Sequence, residues 1–226
     1  MERFFDVLFS GFALLVLSPL LIGIVIILIF SGEGEVFFSQ ERIGKDGKLF
    51  KLFKFATMLK NSPSLGTGTV TMKNDPRVLP VGKFLRKTKI NELPQLFNIF
   101  FGDMSIIGPR PLTEQTFSSY SATTQAIIKQ VRPGLSGVGS IIFRGEEDIM
   151  HGENASVDFY NKSIAPFKGA LEEWFVANKN LNIYLKAIFV TVWVVLFPKT
   201  NMPWVVFKGL PVPPKELKLA LDFKDQ

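Results

Sequence analysis

Asn91 and Glu92 stand side by side just before a run of apolar residues, Leu93, Leu96, Phe97 and Phe100, spaced i, i+3, i+4, i+7. That spacing predicts an amphipathic helix, with Asn91 as its N-cap and Pro94 tolerated in the first turn. A carboxylate at that position interacts favourably with the helix dipole, which suits Glu92 to a metal ligand or an anionic nucleophile, and equally to an ordinary stabilising glutamate. Further along, Gly108-Pro109-Arg110-Pro111 holds one arginine between two prolines. Fixed φ angles on both sides pre-order the guanidinium for bidentate contact with phosphate or carboxylate. Val131-Arg132-Pro133-Gly134 repeats the device around Arg132, with glycines that allow close backbone approach. Lys83, Arg86, Lys87 and Lys89 form a basic cluster around Phe84 and Leu85, either a solvated face or a surface for phosphate. Together these residues have the makings of phosphate chemistry carried by a carboxylate, guanidiniums and a bound cation.

Composition removes the competing chemistries. There is no cysteine and a single histidine, His151, which excludes thiolate zinc sites and cysteine nucleophiles and argues against a serine–histidine pair. Neither a Walker-type glycine loop nor a dinucleotide fingerprint occurs. The 26 Lys+Arg outnumber the 20 Asp+Glu, but the basic residues gather near an apolar segment and form no nucleic-acid module, so no nucleic-acid partner is expected.

The elements that must position these groups begin with an uncharged run from Val7 to Phe30. As one helix it is about 36 Å long, enough for a hydrocarbon core of about 30 Å. Ser18-Pro19 sits mid-run, where proline frees a carbonyl near Leu15 and should bend or break the helix. On length and hydropathy a kinked spanning helix is preferred over a helix–break–helix hairpin. Arg3 is nearly alone before the run, whereas Arg42, Lys45, Lys48, Lys51, Lys54 and Lys60 follow it, which puts the C-terminal portion in the cytoplasm. Val36–Gln40 and Leu49–Phe55 read as a β-hairpin about Gly44-Lys45-Asp46-Gly47, the second strand alternating apolar and basic through Lys51 and Lys54. Met104–Ile107 is strand-like. Leu181–Phe197, apolar apart from Asn182, Lys186 and Thr191, reads as an in-plane interfacial helix. A proline-rich tail from Pro198 follows, in which Leu217, Leu221 and Phe223 could pack a short helix.

Several long motifs carry a family resemblance. Asp75-Pro76-Arg77 through Val81-Gly82-Lys83-Phe84-Leu85-Arg86-Lys87-Thr88, then Glu92-Leu93-Pro94-Gln95-Leu96-Phe97-Asn98, then Gly102-Asp103-Met104-Ser105-Ile106-Ile107-Gly108-Pro109-Arg110-Pro111 resemble the bacterial monotopic phosphoglycosyl transferases. The resemblance extends to Phe5-Asp6, Ser18-Pro19, Gln40-Glu41-Arg42-Ile43-Gly44, Lys54-Phe55-Ala56-Thr57-Met58, Val131-Arg132-Pro133-Gly134 and Leu185-Lys186, covering the chain to about Phe197. It implies an enzyme that moves a sugar 1-phosphate from a UDP-sugar to undecaprenyl phosphate with Mg²⁺, releasing UMP. It also implies a bacterial inner-membrane protein in which the Ser18-Pro19 break makes the helix re-entrant, so that the N-terminus and the catalytic domain share the cytoplasmic face. This reverses the preference for a spanning helix.

The resulting expectation is an α+β, mainly helical chain. It has a re-entrant helix over 1–32, a cytoplasmic catalytic domain over 33–197 with a short β-hairpin and amphipathic interfacial helices, and a tail over 198–226. Candidate phosphate-binding residues are Arg110, Arg86, Arg132 and Lys54, with Glu92 as catalytic residue and metal ligand. One departure stands out: the family's catalytic pair is Asp-Glu, the Asp being the nucleophile, and here it reads Asn91-Glu92. An amide cannot form the acyl-phosphate. Either Glu92 has taken over, or another carboxylate such as Asp103 or the Glu146-Glu147-Asp148 cluster contributes, or the chain is a weak or engineered variant. A non-catalytic membrane-anchored binder of nucleotide sugar or lipid is the alternative reading. The segment from Ser140 to Gly169 is richer in acids than the family's short form, and Arg144-Gly145-Glu146-Glu147 reads as a solvated loop in preference to part of a sugar pocket.

Overall fold

The computed structural model describes residues 1–62, 75–144, 149 and 159–223. It is mostly helical with two small two-stranded sheets. Two compact units divide the chain: one holds Met1–Asp6, Arg42–Phe50 and Gly102–Gln226, the other Val7–Glu41 and Lys51–Phe101.

Helix α1 runs from Glu2 to Ile29, 28 residues with Pro19 inside. The helix runs through Ser18-Pro19. Pro19 has no amide to offer Leu15, and the Ser18 hydroxyl donates to the Leu15 carbonyl instead, at 2.7 Å, an arrangement that favours a bend. Most of its apolar side chains are exposed, Leu15 by 73% and Phe12 by 66%. By length and composition α1 is able to cross a membrane.

In the second unit, Leu21, Ile24 and Leu28 of α1 are buried with Phe55 and Leu85. Strands β1 (Phe37–Ile43) and β2 (Leu49–Phe55) form the expected hairpin. Asp46 (φ 58°) and Gly47 (φ 76°) turn the chain between them, a conformation that Asp and Gly tolerate better than other residues. The basic cluster lies on helix α2 (Pro80–Lys87), which begins with a proline as helices commonly do. Gly82 on α2 is packed against the Thr57 backbone so closely that a methyl group there would overlap it.

Helix α3 spans Gln95–Phe101, so it starts later than the apolar spacing predicts. Pro94 contributes no amide, and the preceding residues close instead into a 3₁₀ turn, Ile90–Glu92, with Leu93 N–H bonded to Ile90 O at 3.0 Å. Asn91 therefore lies inside that turn and is not the N-cap. The buried face of α3 also differs: Gln95, Leu96, Asn98 and Ile99 are inside, while Phe97, Phe100 and Phe101 are exposed.

In the first unit, β3 (Ser105–Ile107) pairs in parallel with β4 (Gly134–Ser136), Ser105 opposite Gly134 and Ile107 opposite Ser136. The two arginine turns are thereby joined, a pairing no local pattern announces. Methyl groups at Gly134 or Gly137 would overlap the Gly108 backbone, the close approach that the glycines were expected to permit. Short helices α4 (Glu114–Ser118), α5 (Ala122–Ile128) and α6 (Val138–Ile142) precede α7 (Ala165–Ala177) and α8 (Leu181–Leu196). Asn180 caps α8, its side chain accepting from Ile183 N–H at 3.0 Å. Tyr184, Ala187, Val190 and Val194 of α8 are buried, whereas Leu185, Phe189, Val192 and Val195 are exposed, an apolar helix with an apolar outer face.

The tail forms α9 (Met202–Val206) and α10 (Lys215–Lys218). Trp204, Phe207, Leu217 and Leu221 join the core of Leu171, Phe175, Tyr184 and Val190. Trp204 Nε1 donates to Leu221 O at 3.0 Å, and Phe223 meets the Trp204 ring edge-on at 4.9 Å. The tail thus finishes a core begun by α7 and α8.

Candidate active site

Strand β2 and the turn before α3 bring two of the expected residues together. Asn98 holds this arrangement: its Oδ1 accepts from Phe53 N–H at 3.0 Å and its Nδ2 donates to Lys51 O at 2.8 Å. One buried amide thus satisfies two polar groups of the strand. Lys54, on the strand face opposite Lys51, reaches Glu92, with Nζ 3.0 Å from Oε1. Both side chains are about three-quarters buried.

Asn91, beside Glu92, is 7% exposed and its Oδ1 has no hydrogen-bond partner. An orphaned buried carbonyl oxygen and a carboxylate are both oxygen donors of the kind that a hard cation takes. Among the described residues no three carboxylate, histidine or cysteine side chains cluster. Arg86, in the last turn of α2, is half-buried with Nη1 3.8 Å from Met58 Sδ.

Arg110 and Arg132 belong to the other unit. Arg110 is exposed on a turn whose backbone is tethered throughout: Gly108 N–H bonds Ser136 O at 2.9 Å, and Gly134 N–H bonds Pro109 O at 2.8 Å. Arg42 Nη1 donates to Pro111 O at 3.2 Å. Arg132 is committed in part to structure, its Nε donating to Gly102 O at 2.7 Å. Asp103 is exposed in this unit. Glu146, Glu147, Asp148, His151 and most of the Arg144–Glu147 stretch lie outside the described residues.

Three further buried polar residues fix the elements that carry these groups, each within its own unit. Asn98 and Asp6 occur within the quoted motifs, but their roles needed the fold. Asp6 is 2% exposed and its Oδ1 accepts from Tyr184 OH (2.7 Å), Ile106 N–H (2.9 Å) and Ser105 Oγ (3.0 Å). Burial and the adjacent Asp6 push the Tyr184 hydroxyl well above its ordinary range. Glu172 on α7 is the third. Burial raises its carboxyl to about 7 against the pull of the Arg110 backbone N–H, Lys168 and Arg110. In sequence it is half of a Glu172-Glu173 pair and looks like solvated helix surface.

One unit carries a tethered arginine turn joined to a parallel strand pair, and the other a largely buried lysine–carboxylate pair. The chain belongs to the bacterial sugar transferase family, whose profile matches residues 1–198. It is 37% identical over 171 residues to the exopolysaccharide production protein ExoY of Rhizobium meliloti, covering 70% of this chain and 74% of that one. It is 37% identical over 164 residues to the UDP-glucose:undecaprenyl-phosphate glucose-1-phosphate transferase of Escherichia coli, covering 70% of this chain and 35% of that one. It is 31% identical over 210 residues to the undecaprenyl-phosphate galactose phosphotransferase of Salmonella typhimurium, covering 87% of this chain and 40% of that one.

Proposed function

We propose that this chain transfers a sugar 1-phosphate from a UDP-sugar to undecaprenyl phosphate, releasing UMP, at the cytoplasmic face of a bacterial inner membrane. The observation that carries it is the Lys54–Glu92 pair, built into the family's motif and set beside an unpartnered Asn91 oxygen.

The chemistry follows from what a carboxylate can do at phosphorus. A Glu92 oxygen attacks the phosphorus that bears the sugar, and the bond to UMP breaks with its electron pair leaving on the UMP oxygen. The sugar phosphate is then an acyl phosphate on Glu92. A phosphate oxygen of undecaprenyl phosphate attacks the same phosphorus, and the Glu92 carboxylate leaves, yielding the lipid diphosphate sugar. Lys54 orients the carboxylate through their ion pair, and the Arg110 guanidinium offers a planar fork to the phosphates. Mg²⁺ held by Glu92 and the Asn91 carbonyl would neutralise charge on the leaving phosphate.

The lipid acceptor requires a site at head-group level. The exposed phenyl groups of α3 and the outer face of α8 are each apolar surface of the kind that an interfacial helix presents. A re-entrant α1 rests on the family resemblance at Ser18-Pro19.

The test is UMP release by the full chain in lipid nanodiscs containing undecaprenyl phosphate, with Mg²⁺ and a panel of UDP-sugars that includes UDP-glucose and UDP-galactose. Turnover that needs both lipid phosphate and Mg²⁺ is expected. A folded chain that releases no UMP from any sugar overturns the reading.

A further inference from the structure

Six charged side chains from four separate stretches of the chain line one polar cavity, and all belong to the unit that holds Met1–Asp6, Arg42–Phe50 and Gly102–Gln226. Glu2, Arg3 and Asp6 come from the first turns of α1, Lys45 from the β1–β2 turn, Arg132 from the turn before β4, and Lys179 from the link between α7 and α8. Four cations thus meet two carboxylates, and both carboxylates are engaged. Glu2 Oε2 pairs with Lys179 Nζ at 2.7 Å, and Asp6 Oδ1 accepts from Tyr184, Ile106 and Ser105 at 2.7–3.0 Å. Arg3 and Arg132 converge on one glycine. Arg132 Nε donates to Gly102 O at 2.7 Å, while Arg3 Nη2 lies 3.2 Å from where a Gly102 Cβ would stand. Arg132 has its two Nη groups as further donors, and Lys45 is exposed. Cations gathered around one polar hollow repel one another, and a concave wall concentrates their field on whatever anion enters.

We propose that this cavity binds a phosphate group through Arg3, Lys45 and Arg132, carried either on the head group of an anionic phospholipid or by free phosphate. A tetrahedral phosphate presents enough oxygens for two guanidiniums and an ammonium at once, and charge-assisted bonds of this kind are the strong ones. Phe4, next to Arg3 on the apolar helix, is 66% exposed, so apolar surface adjoins the cation set as a lipid ligand requires. The site does not rest on the transferase reading, and it assigns Arg132 to an anion other than the one assigned to Arg110.

Two arms of one experiment separate the sources. The full chain is held in nanodiscs of equal phosphatidylglycerol and phosphatidylcholine and released for native mass spectrometry. In a neutral detergent, inorganic phosphate is titrated against the melting temperature, with chloride at matched ionic strength as the control. Arg3→Gln with Lys45→Gln removes two cations of the cavity, whereas Lys48→Gln with Lys208→Gln removes the same charge outside it. One phosphatidylglycerol retained by the wild type and by the Lys48/Lys208 pair, and reduced roughly tenfold in the Arg3/Lys45 pair, upholds the site with lipid as its source. No retained lipid, but a saturable rise in melting temperature whose phosphate midpoint moves roughly tenfold higher in the Arg3/Lys45 pair alone, upholds it with free phosphate as the source. Should Arg3→Gln prevent folding, Lys45→Gln alone, on an exposed turn, is compared with Lys48→Gln. Equal behaviour of the two pairs, or no phosphate ligand in either arm, overturns the proposal.

Discussion

Lys54 Nζ lies 3.0 Å from Glu92 Oε1, joining a strand and a turn that are 38 residues apart in sequence. Glu92 follows Asn91 in the chain, and Lys54 sets the orientation of its carboxylate. Glu92→Gln should therefore abolish UMP release while leaving the fold intact, since an amide neither attacks phosphorus well nor ligates Mg²⁺ as an anion. Lys54→Met should lower turnover but leave a measurable rate. Full activity in Glu92→Gln would move the nucleophile elsewhere.

Asn91 presents an opposite pair of effects on stability and activity. Its buried, unpartnered Oδ1 is expected to destabilise the fold by about 1–3 kcal/mol. Asn91→Leu should then raise the melting temperature, and it should also raise the Mg²⁺ concentration needed for half-maximal turnover. An unchanged Mg²⁺ requirement removes Asn91 from the cation site.

Topology is open to a unique thiol, because the chain has no cysteine of its own. Phe4 is 66% exposed, near the start of α1. In intact cells Phe4→Cys should resist a membrane-impermeant thiol reagent and react once the membrane is permeabilised. Labelling from outside would make α1 a simple span.

Glu172 predicts a pH dependence of stability. Its carboxyl is raised from 4.5 to about 7 by burial, so the folded chain holds a proton that the unfolded chain has released between those values. The contribution is fully present below pH 4.5, falls as pH rises, and is lost above about 7. Glu172→Gln cannot ionise, so it should flatten this dependence and exceed the wild type in stability above pH 7, by about 3 kcal/mol at most. Denaturation at pH 5 and pH 8 measures the difference. Parallel curves for both proteins would refute the buried-acid assignment.

The C-terminal tail lies beyond the family match, yet Phe207 is 1% exposed within the core and packs on Trp174 at 6.0 Å. Phe207→Ala should lower stability by about 3–5 kcal/mol, with the loss seen in thermal unfolding. A change under about 1 kcal/mol would make the tail an ornament of the fold.

Local chemistry was legible in the sequence wherever neighbouring residues decide the outcome. The bounds of β2, the apolar length of α1, the basic cluster on α2 and the rigid turn at Arg110 all follow from alternation, hydropathy, charge spacing and proline's fixed φ. The family motifs also pointed to Glu92 and Asn91. Tertiary structure decided what depends on partners distant in sequence. Pro94 alone suggested only a tolerated first-turn residue, but with Asn98 and Gln95 drawn inward the helix starts at Gln95 and turns its phenyl groups out. At short range Ser18 supplies the bond that proline removes, its hydroxyl donating to Leu15 O. The Lys54–Glu92 pair, the joining of the two arginine turns through β3 and β4, and the burial of Glu172 depend on long-range contacts. No window of sequence encodes them, because the loops that bring such residues together are closed by the packing of the whole core rather than by any local preference.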